Sequence, residues 1–126
     1  MRVKVSIESQ GSLEKSLRRS LNFKNEFIGE LNTAGAVAVE KLAGRTPVDS
    51  GKTKRSWSKE VERNQNGIEL SISNDHVTKT GIPIVALLRY GHGTGTGGYV
   101  PPNDFVTPVV NELVDDVSRL IDRKLR

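Results

Sequence analysis

The feature that most constrains the fold is a regular apolar stripe in the C-terminal segment. Apolar residues recur there every three or four positions, which is the spacing of one face of an amphipathic helix. They are Val109, Val110, Leu113, Val114, Val117, Leu120, Ile121 and Leu125. Thr107 is a candidate helix cap, and Pro108 suits the first helical position, where no N–H partner is needed. The segment therefore predicts a C-terminal helix that packs on the rest of the domain.

The N-terminal half combines a short strand with a long helical pattern. Apolar and polar residues alternate over 3–7, which is typical of a half-buried strand. Ser12 is a candidate helix cap, and helical spacing then continues over 12–44, until Pro47 ends the pattern. A helix of that length would extend about 50 Å, which is long for so small a domain. We therefore expect a break near Asn22.

The middle of the chain predicts a β-hairpin. The alternating runs RSWSKEVER and GIELSISN flank the turn signal NQNG, and we expect Trp57 in the first run to be a core anchor. The apolar run IPIVALLRYG follows; we expect a short helix or irregular turn opened by Pro83, leading into a strand-like stretch at 88–90. Residues 1–126 are thus predicted to form a single α+β domain. Its small antiparallel or mixed sheet contains the hairpin and is packed by a long N-terminal and a C-terminal helix.

Composition excludes several classes of protein. The chain has 126 residues and no cysteine, so neither disulfides nor thiolate chemistry can contribute, as suits a reducing cytosol. No apolar run approaches the ~20 residues that span a bilayer, and the charged, alternating start is unlike a secretory signal. We therefore expect a soluble chain without a membrane partner. The net charge of +4 permits contact with nucleic acid, but the basic residues are spread out. The stretch 64–117 is acidic and its flanks are basic, so the chain is electrically two-sided.

The glycine-rich stretch GHGTGTGGYVPP raises the question of phosphate binding. Gly93, Gly95 and Gly98 match the spacing of a dinucleotide-binding motif. That motif needs a helix that begins at its third glycine, but here Tyr99 and two prolines follow within a few residues. A P-loop also fails, because no Lys-Ser or Lys-Thr pair closes the glycines. We therefore predict a flexible loop and no bound cofactor.

Catalytic and metal-binding patterns are not evident. His76 and His92 are the two histidines, and their spacing matches no metal-ligand pattern. We interpret His76 as a turn residue and His92 as a solvated loop residue, and expect neither to be required for folding or assembly. No nucleophile-elbow motif occurs, and the adjacent acids Asp115 and Asp116 diverge around a helix. The sequence therefore predicts neither an enzyme nor a metal site.

Three segments together resemble a known family. They are TPVDSGKTKRSW (46–57), LLRYGHGT (88–95) and PPNDFVTPVV (101–110). In this order, between a helical front half and a C-terminal helix, they are similar to the head-tail joining or tail-completion proteins of long-tailed bacteriophages. Two positions depart from the family pattern. Thr53 stands where a leucine is usual, and Arg89 stands where an acidic residue is common.

The resemblance implies a structural role without catalysis. Members of this family are thought to form rings, commonly hexamers, at the neck or upper tail of the virion. The expected partners are copies of the same chain, head-connector and tail proteins, and packaged DNA through non-specific contact. The expected location is the virion, reached from the host cytoplasm during assembly. The alternatives are a tail-terminator or tail-tube protein, a small basic nucleic-acid-binding protein and, third, a hydrolase.

Two groups of residues are candidates for contacts in such a ring. The glycine-rich loop packs little by itself, so we expect it to be mobile in an isolated subunit and to become ordered on assembly. The residues that bound it are the predicted inter-subunit contacts: Tyr90, Tyr99, Pro101, Pro102 and Phe105. The basic run after the first motif supplies the predicted contacts with DNA in the ring lumen: Lys52, Lys54 and Arg55.

Overall fold

The computed structural model describes residues 1–8, 21–47, 51–64 and 67–125. Within them the chain is α+β, with four helices, a three-stranded and a two-stranded antiparallel sheet. The helices are α1 (Leu21–Arg45), α2 (Lys52–Arg55), α3 (Ile84–Tyr90) and α4 (Val106–Leu125). The strands are β1 (Arg2–Glu8), β2 (Trp57–Asn64), β3 (Gly67–Asn74), β4 (His92–Gly93) and β5 (Tyr99–Val100). The predicted fold class is confirmed.

The three-stranded sheet has the order β1-β3-β2, and both outer strands run antiparallel to β3. The predicted N-terminal strand and the predicted hairpin are therefore confirmed, while the turn residues 65–66 lie outside the described residues. Ile68, Leu70 and Ile72 of β3 are buried and form the apolar face of the sheet. Because side chains alternate along a strand, the residues between them face the opposite, polar side.

Helix α1 packs across the apolar face of the sheet. Its buried residues recur at helical spacing and are Phe27, Leu31, Ala38 and Leu42. The helix ends as predicted, with Pro47 two residues beyond Arg45. The break expected near Asn22 does not fall between Leu21 and Arg45, and the predicted start at Ser12 lies outside the described residues.

Helix α4 packs on α1, and its apolar face joins the hydrophobic core formed by α1 and the sheet. Four residues of the predicted stripe are buried and two are partly buried: Val109, Leu113, Val117 and Leu120, then Val110 and Ile121. Val106, which precedes the stripe, is buried as well, and the side chain of Leu125 lies outside the described residues. Val114, also predicted on this face, is 43% exposed. It lies ~100° further around the helix from Leu113, which places it at the edge of the apolar stripe.

Helix α3 corrects one prediction. The stretch 88–90 was expected to be strand-like, but it forms the last turn of α3. The Leu88 carbonyl accepts a hydrogen bond from the Asn103 backbone at 2.9 Å, and no described strand runs beside it. Val85 is the fully buried residue of this helix. It belongs to the hydrophobic core, and Leu88 packs against that core from the surface.

Candidate functional site

The first motif, 46–57, is closed by a hydrogen bond between its two ends. Trp57 Nε1 donates to Thr46 Oγ1 at 2.9 Å, and the Thr46 hydroxyl donates to the Leu42 carbonyl at 2.6 Å. Both side chains are buried, so the indole N–H and the hydroxyl require these partners. Gly51 has φ +78°, which turns the chain into α2. Trp57 is thus confirmed as a core anchor, whereas residues 48–50 of the corner lie outside the described residues.

The third motif meets the first at Phe105. The rings of Trp57 and Phe105 pack edge to face, with centroids 6.4 Å apart and an angle of 89° between their planes. Phe105 is only 6% exposed. Its prediction as an inter-subunit contact is therefore wrong, because its side chain is part of the subunit's own core.

The second and third motifs meet through Arg89 and Asp104. Arg89 Nε lies 3.1 Å from Asp104 Oδ1, and Arg89 Nη2 donates to Thr107 Oγ1 at 3.2 Å. The same Asp104 oxygen accepts the backbone N–H groups of Val106 and Thr107, each at 3.1 Å. Asp104, and not the predicted Thr107, therefore caps α4. The reason is that its carboxylate reaches two free N–H groups of the first turn, while the Thr107 hydroxyl donates to that carboxylate.

Hydrogen bonds to this carboxylate hold it ionised. The Thr107 hydroxyl has the largest effect, followed by the Thr107 N–H and by Arg89, and together they outweigh partial desolvation. They lower the pKa of Asp104 from 3.8 to about 2.

We expect Asp104→Ala to lower the free energy of unfolding by about 1 kcal/mol at neutral pH, because α4 loses its cap. A depressed folded-state pKa stabilises the fold above the unfolded value of 3.8, and this stabilisation is lost as the pH falls towards about 2. The difference in free energy of unfolding between the native chain and the variant, measured by urea titration, should therefore shrink as the pH falls from 3.8 towards about 2. Asp115→Ala, an exposed change in the same helix, is the control. A difference that stays constant down to pH 2 would contradict the capping role.

A buried polar cluster fastens α2 to the end of β3. Asn74 is 1% exposed; its Nδ2 donates to the Thr53 carbonyl at 2.8 Å, and its Oδ1 accepts the His76 N–H at 3.1 Å. The Thr53 hydroxyl lies 2.6 Å from His76 Nδ1. The predicted turn role of His76 is thus confirmed at its backbone, but its ring also contacts Thr53. Thr53, one of the two departures from the family pattern, is the buried residue of α2.

The three predicted DNA contacts lie together on α2. Lys52, Lys54 and Arg55 are all exposed, while Thr53 between them is buried and holds the helix in place. The structure therefore presents three cationic side chains on one short helix. Their contact with DNA stays a prediction.

The glycine-rich stretch forms a small hairpin in the single chain. Strands β4 and β5 pair antiparallel, the Thr94 N–H donates to the Gly98 carbonyl at 3.0 Å, and the Gly98 N–H donates to Thr94 Oγ1 at 3.1 Å. The next helix begins only at Val106. The hairpin therefore lacks the strand-turn-helix arrangement of a dinucleotide site. The expected mobility of this segment in an isolated subunit, and its ordering on assembly, stay predictions.

Four of the five predicted contact residues are exposed around this hairpin. Tyr90 and Tyr99 are 68% and 65% exposed, and Pro101 and Pro102 are exposed as well. The Arg89 guanidinium lies 5.3 Å from the centre of the Tyr90 ring, a cation–π distance. His92, predicted to be solvated, is partly buried, with Nδ1 3.2 Å from the Leu87 carbonyl. Two exposed aromatic rings thus flank this segment, Tyr90 at the end of α3 and Tyr99 in β5.

We expect Gly91→Ala to open this hairpin. Gly91 has φ +80°, and a Cβ there would lie 2.9 Å from the Val100 carbonyl oxygen, which is backbone and cannot rotate away. Gly95→Ala is a matched control, because Gly95 has φ +81° but open space around a new Cβ. Both variants place a Cβ at positive φ, where backbone strain costs on the order of 1–3 kcal/mol, and only Gly91→Ala adds the clash. Amide exchange at 92–100 should therefore accelerate much more in Gly91→Ala. Equal rates in the two variants would contradict the packing at Gly91.

Among residues 1–8, 21–47, 51–64 and 67–125, no three His, Asp or Glu side chains are grouped so as to hold a metal ion. No helix in the described part of the chain is long and apolar enough to cross a membrane. These findings concern the described residues alone.

No protein-family model matches this chain, and neither a curated protein nor a solved structure is significantly similar to it. The functional argument therefore depends on the motifs and on the geometry that connects them. Sequence reasoning missed two residues of that geometry, Asp104 and Asn74. Asp104 had a signal, since an acid three residues before Thr107 and an apolar run is a capping pattern. The run NDH at 74–76 indicates a turn, but nothing in the sequence indicates the contact of Asn74 with Thr53.

Proposed function

We propose that this chain is a structural virion protein that joins head and tail in a long-tailed bacteriophage, as a tail-completion or neck ring component. The observation that carries the proposal is the convergence of the three family-like motifs. Trp57 of the first motif packs on Phe105 of the third, and Arg89 of the second pairs with Asp104 of the third. The residues that resemble the family therefore form one connected framework.

This framework suits a subunit that must present fixed surfaces to neighbours. The buried Trp57 contacts and the Asp104 cap fix the start of α4 and the end of α3, from which the exposed hairpin extends. Tyrosine is enriched where proteins contact one another, because it supplies large contact area at little entropic cost. Identical subunits that bind through two different surfaces close into a ring when the rotation between them permits it. We propose a ring, most simply a hexamer, in contact with head-connector and tail proteins in the virion.

One observation favours a second candidate. The exposed cations of α2 would contact DNA phosphates non-specifically, and a small nucleic-acid-binding protein would use the same residues. Such a protein would bind duplex DNA as an isolated chain, with an affinity that falls steeply as salt increases. A tail-terminator or tail-tube role differs only in position along the virion, so the location of the chain distinguishes it.

The test is disruption of the gene in the phage or prophage that encodes the chain. We expect DNA-filled heads and separate tails to accumulate, because the junction between them is incomplete. Adding the purified chain to that lysate should restore joined, infectious particles. Normal infectious particles without the chain would contradict the proposal. If particles were normal without the chain and the purified chain bound duplex DNA with a steep salt dependence, the nucleic-acid-binding alternative would replace the proposed function.

A further inference from the structure

The three-stranded sheet has two long outer strands. Strands β1 and β2 contain 7 and 8 residues, and in the described part of the chain each pairs with β3 alone. The outward backbone N–H and C=O groups of such strands are a template for a further strand. Both edges therefore have the capacity to extend the sheet into another molecule.

The polar face of the sheet is charged with opposite sign at its two edges. Val3 and Val61 pack on the core, so their neighbours in β1 and β2 face the other way. At the β1 edge these neighbours are Arg2 and Lys4, both exposed. At the β2 edge they are Glu60 and Glu62, also exposed.

The register places one charge of each edge at the same level of the sheet. Lys4 and Glu60 both pair with Ser71, and so occupy the same level on opposite edges. Arg2 donates to Ser71 Oγ at 3.3 Å, and Lys4 Nζ lies 3.6 Å from Glu69, so the basic edge is partly neutralised by β3. The acids of β2 form no ion pair among the described residues. The β2 edge therefore presents carboxylates with no cation of their own.

We propose that copies of this chain associate edge to edge, with β1 of one copy beside β2 of the next, so that the sheet continues through the assembly. In this contact Lys4 of one copy lies beside Glu60 of its neighbour, and Arg2 and Glu62 lie diagonal to that pair. Because β1 and β2 both run antiparallel to β3, they run parallel to each other. A repeated head-to-tail contact then pairs them in parallel, as a cyclic ring requires.

The alternative two-fold contacts bring like charges together. A two-fold β1–β1 pairing is antiparallel, and with Val3 on the axis it would place Arg2 opposite Lys4 of the other copy. A two-fold β2–β2 pairing with Val61 on the axis would likewise place Glu60 opposite Glu62. Like charges across an interface are strongly unfavourable. Lys59 does not alter this pattern, since its Nζ donates to Asn32 of α1 at 3.0 Å on the opposite side of the sheet. The charges therefore favour the head-to-tail contact over either two-fold contact. This inference specifies how the proposed ring is held together, and it rests on the proposed function.

Charge reversal tests this contact with two full-length variants. The first is Glu60→Lys with Glu62→Lys, and the second is Arg2→Glu with Lys4→Glu. Each alone should weaken self-association by ~100-fold or more and run at the subunit mass of 13.8 kDa in sedimentation velocity. An equimolar mixture should assemble again, because the reversed β2 of the first variant matches the reversed β1 of the second. Lys79→Glu and Asp115→Lys change exposed charges outside the sheet and should leave assembly unaltered.

Circular dichroism confirms that each variant is folded before its mass is compared. A native chain that stays at subunit mass at all concentrations would overturn the inference. So would single variants that assemble like the native chain, or a mixture that remains dissociated. Failure of the proposed function looks different: the variants and their mixture would behave as expected, but the chain would be absent from virions. A chain found in virions whose reversed variants assemble normally would overturn the edge contact alone.

Discussion

Replacing Trp57 with alanine should lower the free energy of unfolding by about 3–5 kcal/mol, the largest effect expected of any single substitution in the chain. Trp57 is 7% exposed, donates to Thr46 and packs against Phe105. Its removal leaves a cavity where the first and third motifs meet, and it leaves Thr46 without its donor. Urea unfolding followed by circular dichroism measures the loss.

Two milder variants separate the packing from the hydrogen bond. Trp57→Phe keeps an aromatic ring but removes the N–H donor, and Thr46→Val removes the acceptor while keeping a similar shape. Each should cost about 1–3 kcal/mol, and the double variant should cost less than their sum, because both remove the same bond. A loss below about 1 kcal/mol for Trp57→Ala would show that the junction is not part of the folded core.

The second large effect is expected at the contact between α1 and β3. Leu70 is fully buried, and Leu70→Ala should cost about 2–5 kcal/mol. A Cβ on Gly35 would lie 2.9 Å from Leu70 Cδ1 and 3.0 Å from Lys59 Cδ. In the native chain Gly35→Ala should therefore be neutral or destabilising, because the clash offsets its gain of about 1 kcal/mol in helix propensity.

The double variant decides whether the clash is real. Once Leu70 is alanine, the methyl group of Gly35→Ala enters vacated space, so it should stabilise by about 1 kcal/mol in that background. Gly29→Ala is the control in the same helix, since a Cβ at Gly29 has no neighbour within 4 Å. It should stabilise equally in both backgrounds. If Gly35→Ala also stabilised both backgrounds equally, the close approach of helix and sheet would be contradicted.

Much of the fold is predictable because periodicity reports local structure. The alternation at 3–7, the hairpin around NQNG and the helical stripe of α4 each depend on neighbouring residues in the sequence. The run at 84–90 is harder to predict, because a short apolar segment suits a helix or a strand, and no strand in the described part of the chain pairs with it.

The candidate site was less predictable because its contacts are long-range. Phe105 stands among prolines and exposed residues, and nothing near it in the sequence indicates that Trp57 covers its ring. The Asp104 cap was available from the sequence but was assigned to Thr107. The opposite charges of β1 and β2 can be read from the sequence. That Lys4 and Glu60 lie at the same level of the sheet depends on the register of both strands with β3.

The most direct test of the central claim is electron cryomicroscopy of tailed particles from the phage that encodes the chain, with symmetry imposed at the junction of head and tail. We expect a ring of density there that fits repeated copies of this α+β subunit, with adjacent copies joined through β1 and β2. A junction built entirely from other proteins, in particles that lack this chain, would contradict it.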